Sequence, residues 1–323
     1  MKRQGGAAIL TAMLTVVLVA SLASATLWQQ WRGVEVEAAE RSRTQSAWVL
    51  VGALDWARLI LREDGRKGGA DHLAEPWAVP LEQARLSTFL AADRGNAQTA
   101  DDTQDAFLSG QIIDLQSRLN VANLVQDGKI HEPSQLAFAR LFDLLSLPAG
   151  ELTALAENLR LAQDTGAGKG GDAAPAPSPN SPLWPQDVDQ LAWLGLSPRS
   201  IATLRPFITL LPVPTPVNLN TAPAEVLYAS VAVFEMADAH RLVTARNTTH
   251  LAVLTDAGKA GGNAAAKFVD GLHSVSSRFF EVRGSLQVDK TTVQEQSVVQ
   301  RDGREVKTLG RKRSVLPVAA PLQ

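Results

Sequence analysis

Hydrophobic residues are arranged in three ways along this chain. From Ala7 to Leu27 they are nearly continuous, a run of Ile, Leu, Val and Ala softened by Thr11, Thr15, Ser21, Ser24 and Thr26. At 1.5 Å per residue such a helix covers roughly 30 Å, the thickness of a bilayer's hydrocarbon. From Val34 to Asp64 they recur at helical spacing. Ala47, Val51, Leu54 and Leu61 fall on one face, and Glu40, Arg43 and Arg62 help supply a polar one. With no proline and only Gly52 in this stretch, one helix over 7–64 is expected, with Glu37 and Arg41 spaced for an ion pair and Gly65 to Gly69 as its stop. In the last part, Ser274 to Leu309, apolar and polar positions alternate imperfectly, which predicts strands. Asp302-Gly303 there supplies a tight hairpin turn.

The segments between are mixed. Ala70 to Arg94, with Pro76 and Pro80, reads as short elements, and Asn96 to Asp105 as a polar surface loop. Phe107 to Val125 offers Ile112, Ile113, Leu115, Leu119 and Val121 as strand core positions. Ser134 to Leu147 predicts a helix burying Leu136, Phe138, Leu141, Phe142 and Leu145, and Glu151 to Gln163 predicts another. Asp164 to Pro182, made of Gly, Ala, Pro, Ser and Asn, reads as a linker without packed structure. Gln186 to Trp193, Pro198 to Phe207, Pro223 to Val233 and Ala237 to Arg246 predict four short helices. The fold class expected is therefore α+β: a long N-terminal helix on an antiparallel sheet built from residues 65–125 and 274–323, with an all-helical insertion over 126–273.

Composition narrows the chemistry. The chain has 323 residues, 45% hydrophobic and 20% charged, with a net charge of −2, so no global field favours nucleic acid. It has no cysteine, which excludes disulfides, thiolate metal sites, cysteine nucleophiles and lipidation at an N-terminal cysteine. His72, His131, His240, His250 and His273 show no metal spacing, and neither a nucleophile elbow nor a P-loop appears. No enzyme constellation emerges. Asp101, Asp102 and Asp105 are weak calcium candidates; they fit no EF-hand spacing, and a solvated loop is the plainer reading. Arg311-Lys312-Arg313 reads as a solvated tail.

Three readings fit the N-terminus. Ala23-Ser24-Ala25 matches a secretory cleavage site; the run also suits a plain single-span anchor. The third reading is a leader resembling that of type IV pilins: Lys2-Arg3-Gln4-Gly5-Gly6 ahead of Ala7-Ala8-Ile9-Leu10, cut between Gly6 and Ala7 on the cytoplasmic side. The continuity of the helix past Leu27 favours the third, because a cut after Ala25 would discard its first half. Lys2 and Arg3, with no further charge until Arg32, orient the N-terminus to the cytoplasm.

Five islands then carry a family resemblance: the leader and span, Leu73 to Ala78, Gly110 to Asn120, Val217-Asn218-Leu219-Asn220-Thr221-Ala222, and Phe279-Phe280-Glu281-Val282. In this order and chain size they resemble general secretion pathway protein K, a minor pseudopilin of bacterial type II secretion. The resemblance implies a prepilin peptidase substrate in the inner membrane with a periplasmic head. It implies Ile9, Leu10, Thr11, Leu14, Val17 and Leu18 as anchor and assembly positions, and Ala47, Val51 and Leu54 as a face for the head or partner helices. Other minor pseudopilins of I and J type and the major pseudopilin are the implied partners, and calcium is allowed without identified ligands. Most pilin-like subunits carry a glutamate at the fifth mature position, where this chain has Thr11. A subunit with nobody ahead of it at a filament tip has no neighbour's amine to neutralise, so the missing charge fits a tip role. Ala7 departs from the Phe or Met common at the first mature position.

The rival reading is a membrane-anchored DNA-uptake protein. Leu191 to Leu204, with a hairpin at Leu194-Gly195-Leu196, and Val217 to Leu227 resemble helix-hairpin-helix units, which hold phosphate on backbone N–H groups. Few basic residues stand near, Arg241 and Arg246 among them, so no nucleic acid is expected. Asn218 and Asn220 are expected to fix a turn and cap the helix that follows.

Overall fold

The computed structural model describes residues 5–86, 106–164, 182–288 and 291–317. Helix α1 runs unbroken from Gly5 to Lys67, 63 residues. It stops at Gly68 and Gly69, whose φ angles of +66° and +114° only glycine adopts readily. The Gly68 N–H closes the last turn on the Asp64 carbonyl at 3.1 Å. Arg66 and Lys67 in that turn suit the negative end of the helix dipole.

The chain divides into two units between Ala53 and Leu54. The first is the apolar part of α1 and its polar continuation. Its large apolar side chains from Ile9 to Leu27 are all exposed, and the stretch is long and apolar enough to cross a membrane. The predicted pair of Glu37 and Arg41 forms at 3.1 Å on the exposed surface.

The second unit is the head. Strands β1 (Leu81–Arg85) and β2 (Ala106–Asp114) come first, then the insertion. The insertion holds β3 (Leu119–Asn120), β4 (Val125–Gln126), β5 (Lys129–Ile130), α2 (Glu132–Leu144), α3 (Ala149–Asp164) and α4 (Pro198–Leu204). It continues through β6 (Ile208–Thr209), β7 (Val217–Asn218), α5 (Ala224–Ser230), α6 (Met236–Thr248), α7 (Asp256–Ala260) and β8 (His273–Ser274). The chain then returns to the head with β9 (Phe279–Val288), β10 (Thr291–Asp302) and β11 (Glu305–Pro317). The five-stranded sheet has the order β1-β2-β9-β10-β11, antiparallel throughout. One sheet is thus assembled from both ends of the head sequence, with the insertion leaving after β2 and returning before β9.

Leu54, Ala57 and Leu61, one turn apart on α1, close a core with Trp77, Phe280, Val282, Val299 and Val306 of the head. Trp77 is fully buried and meets Phe280 edge-on at 5.2 Å. Burying side chains of this size contributes roughly 2–3 kcal/mol each. The insertion has its own larger core, with Phe138, Leu141 and Phe142 of α2 set among Leu155, Leu159, Leu194, Leu204, Leu219, Leu227 and Leu242.

Several local expectations are corrected. The buried positions of α1 include Ser46, Leu50, Leu54, Ala57 and Leu61, while Ala47 and Val51 are half-buried, so the stripe is turned by about one residue. Strand β2 ends at Asp114, because its side chain accepts the Gln116 N–H at 2.7 Å and bends the chain into a 3-10 turn. Asn120 does the same with Ala122 at 3.1 Å. Leu136 on α2 is exposed rather than buried. Arg311, Lys312 and Arg313 are no tail: they lie in β11, paired across the ladder with Ser297, Gln296 and Glu295. The Asp302-Gly303 turn forms as expected, with Asp302 opposite Glu305 and Gly303 at φ +60°.

Candidate functional site: an apolar anchor and a buried polar junction

In the apolar stretch of α1 the predicted anchor positions Ile9, Leu10, Leu14, Val17 and Leu18 all point outward. Each hydroxyl in the stretch is bonded to the helix's own backbone. Thr11 donates to the Ala8 carbonyl at 2.9 Å, Thr15 to Ala12, Ser21 to Leu18, Ser24 to Ala20 and Thr26 to Ala23. In a medium without water an unsatisfied hydroxyl is costly, and here none of the five needs a partner outside the helix. The Gly6–Ala7 bond lies inside α1, close to its start. Leu54 is 3% exposed and belongs to the core of its own head, while Ala47 and Val51 remain half-buried. Asp101, Asp102 and Asp105 lie outside the described residues.

The head's least expected feature is polar and buried. Asp114, at the end of β2, is 3% exposed. One carboxylate oxygen accepts the Gln116 N–H. The other accepts from the Asn218 amide at 3.0 Å, the Thr221 hydroxyl at 2.6 Å and the Ser277 hydroxyl at 2.6 Å. Burial pushes this carboxyl above its ordinary range, and the donors from Ser277, Thr221, Gln116 and Asn218 pull it back. The same Asn218 amide reaches the Asp71 carbonyl at 3.2 Å.

A second layer lies alongside. Arg301 of β10 pairs with Asp64 at the end of α1 and with Asp71 at 2.6 Å, and it donates to the Ser277 carbonyl at 2.8 Å. Asp71 also accepts the Ser277 N–H at 2.6 Å. Burial raises the carboxyls of Asp64 and Asp71, with Arg301 opposing the shift in both. Gln116 spans the gap, donating to the Pro216 carbonyl at 3.1 Å and accepting the Arg278 N–H at 2.7 Å. Below, Asn120 donates to the Val213 carbonyl at 2.8 Å and accepts the Leu211 N–H, and Asn123 exchanges two bonds with the Thr215 backbone at 2.7 and 2.9 Å.

The short motifs at Leu73–Ala78, Gly110–Asn120, Val217–Ala222 and Phe279–Val282 therefore come together where the insertion joins the head. Their chemistry is attachment. Asn218 and Asn220 do fix turns, Asn218 by accepting the Asn220 N–H and Asn220 by exchanging bonds with Leu251. They do not cap the next helix, whose N-cap is Pro223 with no side-chain bond.

Asp64, Asp71 and Glu75 bring carboxylate oxygens within 4.8 Å of one another. The Arg301 guanidinium pairs with Asp64 and Asp71, and Glu75 is held by the Trp77 indole and the His72 N–H at 2.8 Å each. Arg301 offsets part of the negative charge of this group. The helix-hairpin-helix likeness meets a filled site. Gly195 has φ +105° as a hairpin requires, but its N–H and that of Leu196 bond back to Ala192 and Leu191. A Cβ on Gly195 would come within 3.0 Å of Ala154, and the Glu151 carboxylate accepts the Ser197 N–H at the start of α4. An acid stands where a phosphate would have to bind.

A long N-terminal helix that starts apolar, an antiparallel sheet and a helical insertion pinned through buried polar side chains define a pilin-like fold. Family models described as type II secretion system (T2SS), protein K, match residues 117–213 and 217–276, and the chain is similar to that family over those stretches. The two matched stretches cover the insertion from the end of β2 to the return before β9. Type II secretion system protein K of Pseudomonas aeruginosa is 27% identical over 308 residues, covering 86% of this chain and 83% of that protein. Among solved structures, the GspK-GspI-GspJ complex from the enterotoxigenic Escherichia coli type 2 secretion system contains a chain with the same fold. The TM-score is 0.64 at 18% identity, over 85% of this chain and 98% of that one.

Proposed function

We propose that this protein is a non-enzymatic minor pseudopilin that forms or caps the tip of a short periplasmic filament used to export folded proteins. The observation that carries this reading is the mounting of the insertion: a head enlarged by residues 115–278 and fixed to its sheet through Asp114, Asn218 and Ser277. A bulky, rigid head hinders the addition of a further subunit above it, which suits an end and not a repeat. In this reading the span holds the subunit in the inner membrane with its N-terminus in the cytoplasm, and a prepilin peptidase cuts between Gly6 and Ala7. The solved relative is a complex of GspK with GspI and GspJ. By that precedent, I- and J-type pseudopilins are the proposed partners here, with the major pseudopilin beneath them. Ala47 and Val51, half-buried on α1, stay candidates for contact with a neighbouring helix.

Two measurements test this. Full-length protein expressed with the I- and J-type proteins of the same bacterium is expected to co-purify with both; recovery alone contradicts the partner assignment. Filaments grown by overproducing the major pseudopilin are expected to carry an epitope on this protein at one end only, and label spread along the shaft contradicts the tip role.

A further inference from the structure

Two tryptophans mark the place where charge first appears on α1. Trp28 and Trp31, one turn apart, are 57% and 60% exposed. Arg32 follows, the first charged residue after Arg3, with its guanidinium 4.9 Å from the centre of the Trp28 ring. On the N-terminal side lies the apolar stretch whose hydroxyls are all bonded internally. On the C-terminal side Glu35, Glu37 and Glu40 come in quick succession.

We propose that Trp28, Trp31 and Arg32 form a lipid-interface anchor that sets the depth of α1 in the periplasmic leaflet. The proposal rests on the membrane-anchor reading above and goes beyond it by assigning the residues that hold the helix in register with the bilayer. An indole combines an apolar body with a polar N–H and is most stable between acyl chains and headgroups. A guanidinium stacked on one indole faces lipid phosphates with its remaining donors. The spacing fits: from Ala7 to Trp28 the helix rises roughly 30 Å, one hydrocarbon thickness. With Trp28 at the periplasmic interface, the Gly6–Ala7 bond is carried to the cytoplasmic one. Anchoring at one end thereby places the cleavage point at the other.

The absence of cysteine makes the test clean. Single cysteines are introduced in the full-length protein as Ala25→Cys, Leu27→Cys, Gly33→Cys and Glu35→Cys. They are labelled from the periplasmic side with a membrane-impermeant maleimide, in cells whose outer membrane has been permeabilised. Positions 25 and 27 are expected to be protected and positions 33 and 35 reactive. In the Trp28→Phe/Trp31→Phe background, where the rings keep their bulk and lose the polar N–H, the helix is expected to sink by about one turn. Labelling at Gly33→Cys then falls at least about threefold, while the Trp28→Tyr/Trp31→Tyr pair restores it. A boundary that stays fixed in the phenylalanine background, or one that lies beyond Glu35, overturns the anchor assignment and leaves the span intact. Reactivity at all four positions in the parent, with extraction by alkaline carbonate, overturns the membrane reading itself.

Discussion

The apolar half of α1 and the junction beneath the insertion solve opposite problems. Along α1 from Ile9 to Leu27 the greasy side chains are outside, and each hydroxyl is bonded to its own backbone. At the junction a carboxylate, an amide and two hydroxyls are inside, and each finds its partner on a distant part of the chain. The first arrangement suits a medium that offers no hydrogen bonds. The second joins two bodies, each with its own apolar core, by a contact that is directional and specific. Apolar packing alone tolerates sliding; a carboxylate receiving donors from three segments fixes one geometry.

That contrast breaks most visibly at Asp114. Asp114→Ala removes the buried acceptor shared by Asn218, Thr221 and Ser277 and is expected to cost about 3–5 kcal/mol. Chemical denaturation of the full chain in detergent measures it, and a loss below about 1 kcal/mol would show the junction to be ornamental. Arg301→Ala and Asp71→Ala are expected to be costly singly and less than additive together, with a coupling above about 1 kcal/mol in a double-mutant cycle. Additivity would mean that the pair is not one unit.

The next effect depends on pH. His273, in the strand pair that ties the insertion's exit to Val217, is 3% exposed, and burial holds it down to about 4. The unfolded chain binds this proton near 6.5, so stability is complete above that pH and falls as pH drops from about 6.5 toward 4. A loss approaching 3 kcal/mol is expected across that window, and His273→Gln should flatten the slope. Raised carboxyls at Asp64, Asp71 and Asp114 act with the opposite sign. Their protonated forms favour the fold below about pH 4, and that contribution is lost as pH rises. The difference between parent and His273→Gln isolates the histidine. The smallest effect is expected at the exposed pair of Glu37 and Arg41, where removing either partner should change stability by no more than about 0.5 kcal/mol.

What the sequence made legible is local. The unbroken rod, its stop at Gly68, the Asp302-Gly303 turn and the helix beginning near Ser134 all follow from residues within a few positions of one another. The turn of the α1 stripe toward Leu50 was ambiguous, because Leu50 and Val51 are both apolar and only the packing chooses between them. The end of strand β2 is hidden in the pattern because apolar residues recur past it at Leu115, Leu119 and Val121, while the residue that ends it, Asp114, acts through its side chain. The junction was out of reach for a different reason. Asp114 meets Asn218 across 104 residues and Asp71 meets Arg301 across 230. Asp114 and Asn218 each stood within a recognisable motif, but nothing in either motif names its partner, and Asp71 and Arg301 stood in none.

The claim on which the α1 half of the comparison and the proposed function depend is that the apolar stretch stays on the working protein. N-terminal sequencing of the mature chain from membranes tests it directly. The account predicts Ala7 as the first residue, and a chain beginning at Thr26 would contradict it.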